Sequence, residues 1–208
     1  MKNTLGVIPA RMSSSRFPGK PLKKILNIPM LAHCYERALL SGVCDNLVIA
    51  TPDQEIIDWA NQFQIPSVLT SHSHKRATER AKETLDILAN DGLHYDLVLL
   101  LQGDEPQIFP QDISNLKQAF SDKELEVVNL VFPISDDGLE DPNVVKVVLD
   151  KNLNIHFFTR SHIPHDCISG YRQLGMIGLT KNALNKYVSL LPTSLEKVES
   201  IDMMRLIE

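Results

Sequence analysis

The stretch LGVIPARMSSSRFPGKPL, residues 5–22, lies close to the amino terminus, and it is the part of the sequence that most strongly indicates the fold. The apolar part, residues 5–10, is typical of a buried strand, and it leads into a loop that carries three cations and three consecutive serines. Small side chains let backbone N–H groups approach phosphate oxygens, while Arg11, Arg16 and Lys20 supply positive charge. A polyphosphate ligand is therefore favoured over an ordinary solvated turn, because the loop follows the carboxyl end of a first strand.

The spacing of glycines in this loop excludes two other kinds of phosphate site. It matches neither the P-loop pattern G-x-x-x-x-G-K-[ST] nor the dinucleotide pattern G-x-G-x-x-G. The three serines also lack the G-x-S-x-G setting of a hydrolase nucleophile, so we interpret them as groups that cradle phosphate.

Length, charge and cysteine usage narrow the class of protein. The chain has 208 residues with 43% hydrophobic content, enough for one large domain with a sizeable core. Its net charge of −5 argues against nucleic acid as the main partner. Three widely spaced cysteines without a C-x-x-C favour reduced thiols over a disulfide framework or a zinc site. With no membrane span or signal sequence in the pattern, we expect a cytoplasmic protein.

The hydrophobic pattern predicts an α/β fold in the first half of the chain. Apolar strands at residues 5–10, 46–51 and 96–102 alternate with helical patterns, which is typical of a mostly parallel sheet with helices on both faces. From residue 125 onward the pattern favours β structure. Strands at 144–149 and 155–159 are joined by a polar turn and predict a hairpin arm. A last helix is expected to open at Thr193 and to bury Val198, Ile201 and Met204.

A second polar segment follows the apolar strand at residues 97–101. It reads Q-G-D-E-P, residues 102–106, and it lies where open α/β sheets bind ligands. Gly103 permits close approach of a ligand, and the Asp104 carboxylate suits Mg²⁺ that bridges phosphates. The alternative is a turn in which Asp104 caps the next helix.

Four histidines could suggest a metal site, but their setting does not support one. His72 and His74 lie two residues apart in a polar loop, and His162 and His165 flank Ile163-Pro164. Neither pair has a third ligand nearby in sequence, so we interpret them as solvated loop residues. A role for His162 or His165 in substrate binding stays open.

Taken together, these segments resemble the 3-deoxy-manno-octulosonate cytidylyltransferases (CMP-Kdo synthetases). The resemblance rests on P-A-R-x-x-S-x-R-x-P-G-K-x-L at residues 9–22 and Q-G-D-E-P at 102–106. Shorter matches are A-T-E-R at 77–80, D-P-N at 141–143, F-T-R at 158–160 and R-Q-L-G at 172–175. Any one of the shorter matches is weak, but their order and spacing over nearly the whole chain are specific.

The resemblance implies a Rossmann-like, GT-A-like nucleotidyltransferase domain over residues 1–208 that joins CTP to an acidic sugar and releases pyrophosphate. It also implies Mg²⁺ as the metal and a homodimer formed through a β-arm and sugar-binding subregion at 126–180. Arg16, Lys20 and Asp104 are implied to be catalytic, and Asp104 to be the metal ligand. The residues implied to bind the nucleotide are Ala10, Arg11, Ser14, Arg16, Lys20, Ala77 and Gln102. Those implied to bind the sugar acid are Arg80, Gln102, Arg160, Gln173 and Asp202.

Three departures from the family pattern bear on the substrate. Arg76-Ala77 replaces Ser-Gly, residues 172–177 read R-Q-L-G-M-I where the family has R-H-L-G-I-Y, and residues 201–205 read I-D-M-M-R where it has L-E-Q-L-R. The sugar is therefore expected to be Kdo or a related octulosonic or nonulosonic acid. The family also continues into a D-T-x-x-D segment with a second metal carboxylate, whereas this sequence ends at Glu208. A truncated chain, a substitute residue and a loss of catalysis are the three explanations.

Two alternatives to a CTP-dependent transferase remain at this stage. One is a catalytically silent homologue that binds nucleotide as a regulator or partner subunit. The other is a nucleotidyltransferase or GT-A-like glycosyltransferase that uses another nucleoside triphosphate.

Overall fold

The computed structural model describes residues 2–13 and 17–208. The strands in these ranges are β1 (Thr4–Pro9), β2 (Lys24–Ile25), β3 (Ile28–Pro29), β4 (Asn46–Thr51), β5 (Ser67–Leu69), β6 (Leu97–Leu101), β7 (Val127–Ser135), β8 (Lys146–Leu149), β9 (Ile155–Thr159) and β10 (Ser169–Thr180). The helices are α1 (Met30–Leu39), α2 (Gln54–Gln62), α3 (Ala77–Asn90), α4 (Pro110–Ala119), α5 (Asp136–Glu140), α6 (Lys181–Ser189), α7 (Ser194–Glu199) and α8 (Met204–Ile207).

The chain divides into two compact units. The first unit comprises residues 1–128 and 175–185, and the second comprises 129–174 and 186–208. Strand β10 contributes to both, since residues 169–174 belong to the second unit and residues 175–180 to the first.

The first unit contains a parallel sheet in the order β5, β4, β1, β6. The end of β10 pairs antiparallel with β6, which makes the sheet mixed. Central strands β1 and β6 are buried along their length, and such two-sided burial explains why they read as continuous apolar runs rather than alternating ones. The predicted α/β fold with a mixed, largely parallel sheet is confirmed.

Two helices show how the sheet of the first unit is covered. Helix α1 buries Leu31, Cys34 and Ala38 and packs near β1 and β4. Helix α3 buries Ala81 and Leu85 and packs near β1, β4 and β6. In both helices the buried residues recur at helical spacing along the sequence, so burial of this apolar stripe fixes which helix face meets the sheet.

The second unit contains the predicted hairpin. Strands β8 and β9 are antiparallel, and the first part of β10 pairs with β8. The Asp150 carboxylate closes the turn, because it accepts hydrogen bonds from the backbone N–H groups of Asn152 (2.8 Å) and Asn154 (2.9 Å). A hydrogen bond from the Asn154 side chain, together with these two backbone bonds, holds the pKa of Asp150 at about 2, below its ordinary value of 3.8.

The prediction of one long final helix is wrong. The Thr193 hydroxyl does cap α7, accepting from the Glu196 N–H at 3.4 Å, but the helix ends at Glu199. Ser200 then adopts a left-handed conformation with φ of 56°, and α8 follows as a separate turn. Val198 is 82% exposed instead of buried, whereas Met204 is fully buried. The left-handed residue rotates the following chain, so a single helical periodicity no longer applies.

A buried ion pair joins α7 and α8 within the second unit. Arg205 donates to both carboxylate oxygens of Glu196, at 2.7 and 2.8 Å, and its guanidinium lies 4.3 Å from the centre of the Tyr187 ring. Both charged side chains are almost completely buried. The planar guanidinium pairs with both carboxylate oxygens at once, and this contact links the two short helices to each other.

Candidate active site

The loop after β1 is held in place by backbone contacts on each side of residues 14–16, which lie outside the described residues. The Met12 N–H donates to the Asp53 carboxylate at 2.7 Å, at the start of α2. Further along, the Gly19 N–H donates to the Met12 carbonyl at 3.0 Å. Gly19 has a φ of 73°, which favours glycine, and it starts a short 3-10 turn at Lys20–Leu22. This turn places the Lys20 side chain over the end of the sheet.

The segment after β6 lies directly against the end of β1. A Cβ atom added at Gly103 would come within 2.7 Å of the Pro9 carbonyl oxygen, so glycine is required for this close approach of two backbones. The parallel arrangement of β1 and β6 explains the contact, since both strands end at the same edge of the sheet.

Glu105 fixes the other side of this segment. Its Oε1 accepts a hydrogen bond from the Gly175 N–H at 3.2 Å, which ties the segment to β10. A Cβ atom added at Gly175 would lie 2.1 Å from the Gln102 Cγ, so this glycine allows Gln102 to pack against β10. Glu105 therefore has a structural partner, while Asp104 faces the cavity.

The two segments line one cavity of about 580 Å³ within the first unit. Its lining residues are Pro9, Ala10, Arg11, Phe17, Lys20, Pro21, Met30, Lys75, Ala77, Arg80, Gln102, Gly103 and Asp104. The loop after β1 and the Q-G-D-E-P segment therefore face a common cleft. Ser14 and Arg16 lie outside the described residues, so their roles stay predictions.

Lys20 and Asp104 are in direct contact across the cavity. The Lys20 Nζ lies 2.9 Å from the Asp104 Oδ2, and the two side chains are 35% and 53% exposed. An ion pair this exposed contributes little to stability, because water screens it and solvates each partner well. Both charges are therefore accessible to a ligand that enters the cavity.

Arg80 supplies positive charge from the wall formed by α3. Its Nη1 donates to the Thr70 hydroxyl and, at 3.2 Å, to the Ser71 carbonyl, and the residue is only 5% exposed. Burial lowers the pKa of the Arg80 guanidinium, the Glu83 carboxylate partly offsets this effect, and the positive charge of Arg11 lowers the pKa further. The group stays protonated in any case, since arginine does not lose its proton in proteins.

The amino terminus of α3 faces the same cavity. The Glu79 carboxylate accepts from the backbone N–H groups of Lys75 (3.0 Å) and Arg76 (3.2 Å), which closes the first turn. Lys75 and Ala77, on either side of the N-cap residue, line the cavity. The resulting site combines cationic side chains, a helix amino terminus and one carboxylate, a set suited to a nucleoside triphosphate with a divalent ion.

Comparison with known proteins agrees with this geometry. The family described as Cytidylyltransferase matches residues 5–208. The chain belongs to the cytidylyltransferase family. The resemblance stated from the sequence is confirmed in more detail by individual relatives. The 3-deoxy-manno-octulosonate cytidylyltransferase of Leptospira interrogans (serogroup Icterohaemorrhagiae, serovar Lai) is 39% identical, over 100% of this chain and 85% of the relative. That of Nitratidesulfovibrio vulgaris (strain Hildenborough) is 35% identical, over 98% and 83%.

A solved structure supports the same assignment. CMP:2-keto-3-deoxy-manno-octonic acid synthetase complexed with CTP superposes with a TM-score of 0.90 at 32% identity, covering 98% of this chain and 85% of that one. The GT-A-like nucleotidyltransferase fold predicted from the sequence is therefore confirmed. The chain is a member of the 3-deoxy-manno-octulosonate cytidylyltransferases.

Three residues predicted to bind the sugar acid belong to the second unit of this cytidylyltransferase. Arg160 is the most firmly held: its Nε donates to the Glu199 carbonyl at 3.0 Å, and its Nη1 donates to the carbonyls of Pro142 (3.1 Å) and Asn143 (3.4 Å). The guanidinium of Arg160, in the F-T-R motif, therefore contacts the D-P-N motif, which is distant from it in the sequence. The Glu199 carboxylate also accepts from the Arg160 N–H at 2.9 Å.

The other two are held differently. Gln173 donates through its side-chain amide to Asn129 at 2.5 Å, and its backbone N–H donates to the Val145 carbonyl at 2.8 Å. Asp202 lies in the turn before α8, where its carbonyl accepts from the Arg205 N–H at 3.1 Å. Their roles toward a sugar stay predictions.

The predicted Mg²⁺ site fits one in which the substrate supplies part of the metal's ligands. Among residues 2–13 and 17–208, no group of three or more His, Cys, Asp or Glu side chains could hold a metal ion. Asp104 nevertheless presents a half-exposed carboxylate to the cavity. Mg²⁺ is commonly bound by one or two carboxylates together with phosphate oxygens and water, so Asp104 fits as its protein ligand.

Sequence reasoning did not assign Lys75, Phe17 or Met30 to the site, although all three line the cavity. Lys75 adds a cation beside α3, and the 51% exposed Phe17 adds an aromatic ring. The position of Lys75 just before the A-T-E-R motif was the available signal, because the start of a helix often faces an anion. The interpretation of His74 as solvated is incomplete, since its Nε2 lies 2.7 Å from the Glu83 carboxylate.

Proposed function

We propose that this protein transfers the CMP group of CTP to the anomeric hydroxyl of an acidic sugar, Kdo or a related 3-deoxy-octulosonic or nonulosonic acid, and releases pyrophosphate. The observation that carries the proposal is the pairing of Lys20 and Asp104 at 2.9 Å in one cavity, in a chain that matches the cytidylyltransferase family over residues 5–208. This contact unites the cationic loop with the carboxylate that the family pattern assigns to the metal.

Binding of CTP is proposed to use the cations of the first unit. Arg11, Lys20, Lys75 and Arg80 line the cavity and can offset the charge of the triphosphate. The amino terminus of α3 adds backbone N–H groups and the positive end of its dipole. Magnesium, held by Asp104 and the phosphates, would supply further charge neutralisation at the phosphoryl group.

Transfer itself requires in-line attack of the sugar hydroxyl on the α-phosphorus. Both reactants are anions, so the largest contribution expected from the protein is electrostatic. Lys20 is proposed to stabilise the negative charge that builds on the leaving pyrophosphate. The side chain is accessible from the cavity, so a bound triphosphate can displace the water that screens its charge.

Recognition of the sugar carboxylate is proposed for Arg160. Carbonyl groups of Pro142, Asn143 and Glu199 fix the plane of its guanidinium, and a fixed guanidinium loses less entropy when it binds a carboxylate. Asn129 orients the Gln173 amide in the same unit. Gln173 replaces the histidine of the family pattern, so we expect the choice of sugar to depend on it.

We also propose the homodimer and the cytoplasmic setting that the resemblance implies. Exposed apolar side chains in the predicted 126–180 subregion, such as Phe132 and Leu153, support a protein interface there. Light scattering of the purified protein measures the mass directly. A monomer at all concentrations would contradict the dimer and leave the transferase proposal intact.

Among the described residues, none of the helices is long and apolar enough to span a bilayer.

The decisive experiment measures pyrophosphate release with CTP, Mg²⁺ and a panel of octulosonic and nonulosonic acids. We expect release with CTP and at least one acid, and little with UTP, ATP or GTP. Binding of CTP by calorimetry without release for any acid would contradict the proposal and identify a silent nucleotide-binding homologue. Release with another triphosphate but not with CTP would show that the nucleotide is assigned wrongly.

A further inference from the structure

A cysteine, a histidine and a glutamate of the second unit form a chain of contacts that the cytidylyl transfer does not use. The Cys167 Sγ lies 3.4 Å from the His162 Nε2, and the His162 Nδ1 lies 2.6 Å from the Glu140 Oε1. The Cys167 N–H donates to the Pro164 carbonyl at 3.2 Å, and this turn brings the thiol back over His162.

The carboxylate decides which nitrogen of His162 carries a proton. An ionised carboxylate only accepts hydrogen bonds, so the Nδ1 of His162 must donate to Glu140. In the neutral ring the Nε2 is then an acceptor, directed at the thiol. This is the order of groups by which a base oriented by a carboxylate takes the proton of a nucleophile.

We propose that Cys167 is a reactive thiol that exchanges with low-molecular-weight disulfides, with His162 as its base and Glu140 as the group that orients His162. The Cys167 Sγ attacks one sulfur of the disulfide while its proton passes to the His162 Nε2. A new S–S bond forms between Cys167 and that sulfur, and the original S–S bond breaks. The other sulfur leaves as a thiolate and takes up the proton, so one sulfur is oxidised and one is reduced.

Access and selectivity support this assignment. Cys167 is only partly buried, and the side chains of His162 and Glu140 are 30% and 73% exposed, so a small disulfide can reach the thiol. The other two cysteines provide a contrast. Burial raises the pKa of the Cys34 thiol to about 12 and that of the Cys44 thiol to about 11, which leaves almost no thiolate at neutral pH. The native protein should therefore have one fast-reacting thiol.

The test follows release of the thiolate chromophore from 5,5′-dithiobis(2-nitrobenzoate) by the full chain at neutral pH, with glutathione disulfide as a second probe detected by mass spectrometry. We expect one fast equivalent, located at Cys167 by peptide mapping and absent from Cys167→Ser. His162→Asn should slow it by at least about tenfold, since a positioned base typically contributes about a hundredfold or more. Glu140→Gln should slow it less.

A matched control lies in the same loop. His165 is 93% exposed and pairs with Asp166 at 3.2 Å, so His165→Asn should leave the rate unchanged. Equal rates for His162→Asn and the natural protein would overturn the proposal, and so would a Cys167 that reacts no faster than a thiol in an unfolded peptide. The assay contains neither CTP nor sugar, so its result is independent of the transferase proposal.

Discussion

Lys20 combines two properties that make its removal informative, since it lines the cavity and touches Asp104. We predict that Lys20→Ala lowers kcat for pyrophosphate release by about a hundredfold, the loss typical of removing one charge-stabilising donor. The free energy of unfolding should change little, because the ion pair is exposed. Steady-state kinetics and urea unfolding measure the two quantities.

Lys24 is the control for Lys20. It is exposed in β2 and lies outside the cavity lining, so Lys24→Ala should retain normal kcat. A Lys20→Ala variant that turns over as fast as Lys24→Ala would show that Lys20 has no role in the chemistry.

For single residues, the sequence predicted which of them line the cavity better than it predicted which side chains contact each other. Ala10, Lys20 and Asp104 reach one cavity because parallel strands end at the same edge, a rule that applies before any coordinates exist. The grouping of Cys167 with His162 and Glu140 was not predictable, because Glu140 is 22 residues from His162 and their contact depends on how the second unit folds.

Among the elements, the β8–β9 hairpin depends on a carboxylate in its turn. Asp150 has a pKa of about 2 because it accepts hydrogen bonds from Asn154 and Asn152, so folding favours its ionised form. Because folding lowers this pKa, the ionised carboxylate stabilises the fold at pH values above 3.8. This stabilisation is lost as the pH falls toward 2. We predict that Asp150→Ala lowers the urea midpoint at pH 7 and that the difference from the natural protein shrinks over that acid range.

The neighbouring Lys151 serves as the control for the hairpin. It is exposed in the same turn, so Lys151→Ala should unfold like the natural protein at both pH values. A difference for Asp150→Ala that stays constant down to pH 2 would argue against ionisation as the source of its effect.

The pair that joins α7 to α8 allows a second test among the elements. Arg205→Met deprives the buried Glu196 of its guanidinium, and we predict a loss of about 3–5 kcal/mol in the free energy of unfolding. Replacing both residues, as in Glu196→Leu with Arg205→Met, should recover most of the loss because no charge stays buried. Urea unfolding measures both.

A pair in α3 that is open to solvent on its carboxylate side provides the comparison for this cost. Lys82 bonds Asp86, and the two side chains are 18% and 57% exposed, so Lys82→Met leaves a solvated carboxylate and should cost no more than about 0.5 kcal/mol. Equal losses for Arg205→Met and Lys82→Met would mean that burial of the α7–α8 pair has no energetic effect.

Element prediction succeeded where periodicity was long and failed where single residues redirect the chain. The strand at residues 46–51 has the predicted bounds, since the unbroken apolar run at residues 47–50 is flanked by one polar residue on each side. The last helix was mispredicted because the left-handed Ser200 ends α7, and serine gives no strong signal for that conformation. Helix α4 was not predicted.

For the whole molecule, ligand binding should appear as added stability. With Mg²⁺ and CTP at a hundredfold their dissociation constant, the free energy of unfolding should rise by about 2.7 kcal/mol. Thermal melts with CTP, UTP, ATP and GTP at equal concentration compare the nucleotides. An equal rise for all four would contradict selectivity for cytidine.

The contact between Lys20 and Asp104 has a consequence for which molecules can occupy the protein in a cell. Each of the two groups already has a counterion. An anion that binds the ammonium alone separates it from the carboxylate, and a cation that binds the carboxylate alone does the reverse, so a simple ion gains no net pairing. A nucleoside triphosphate that arrives with its divalent ion supplies a partner for each group at once. Because the pair is exposed and contributes little to stability, it holds both charges in position for such a ligand without obstructing its entry.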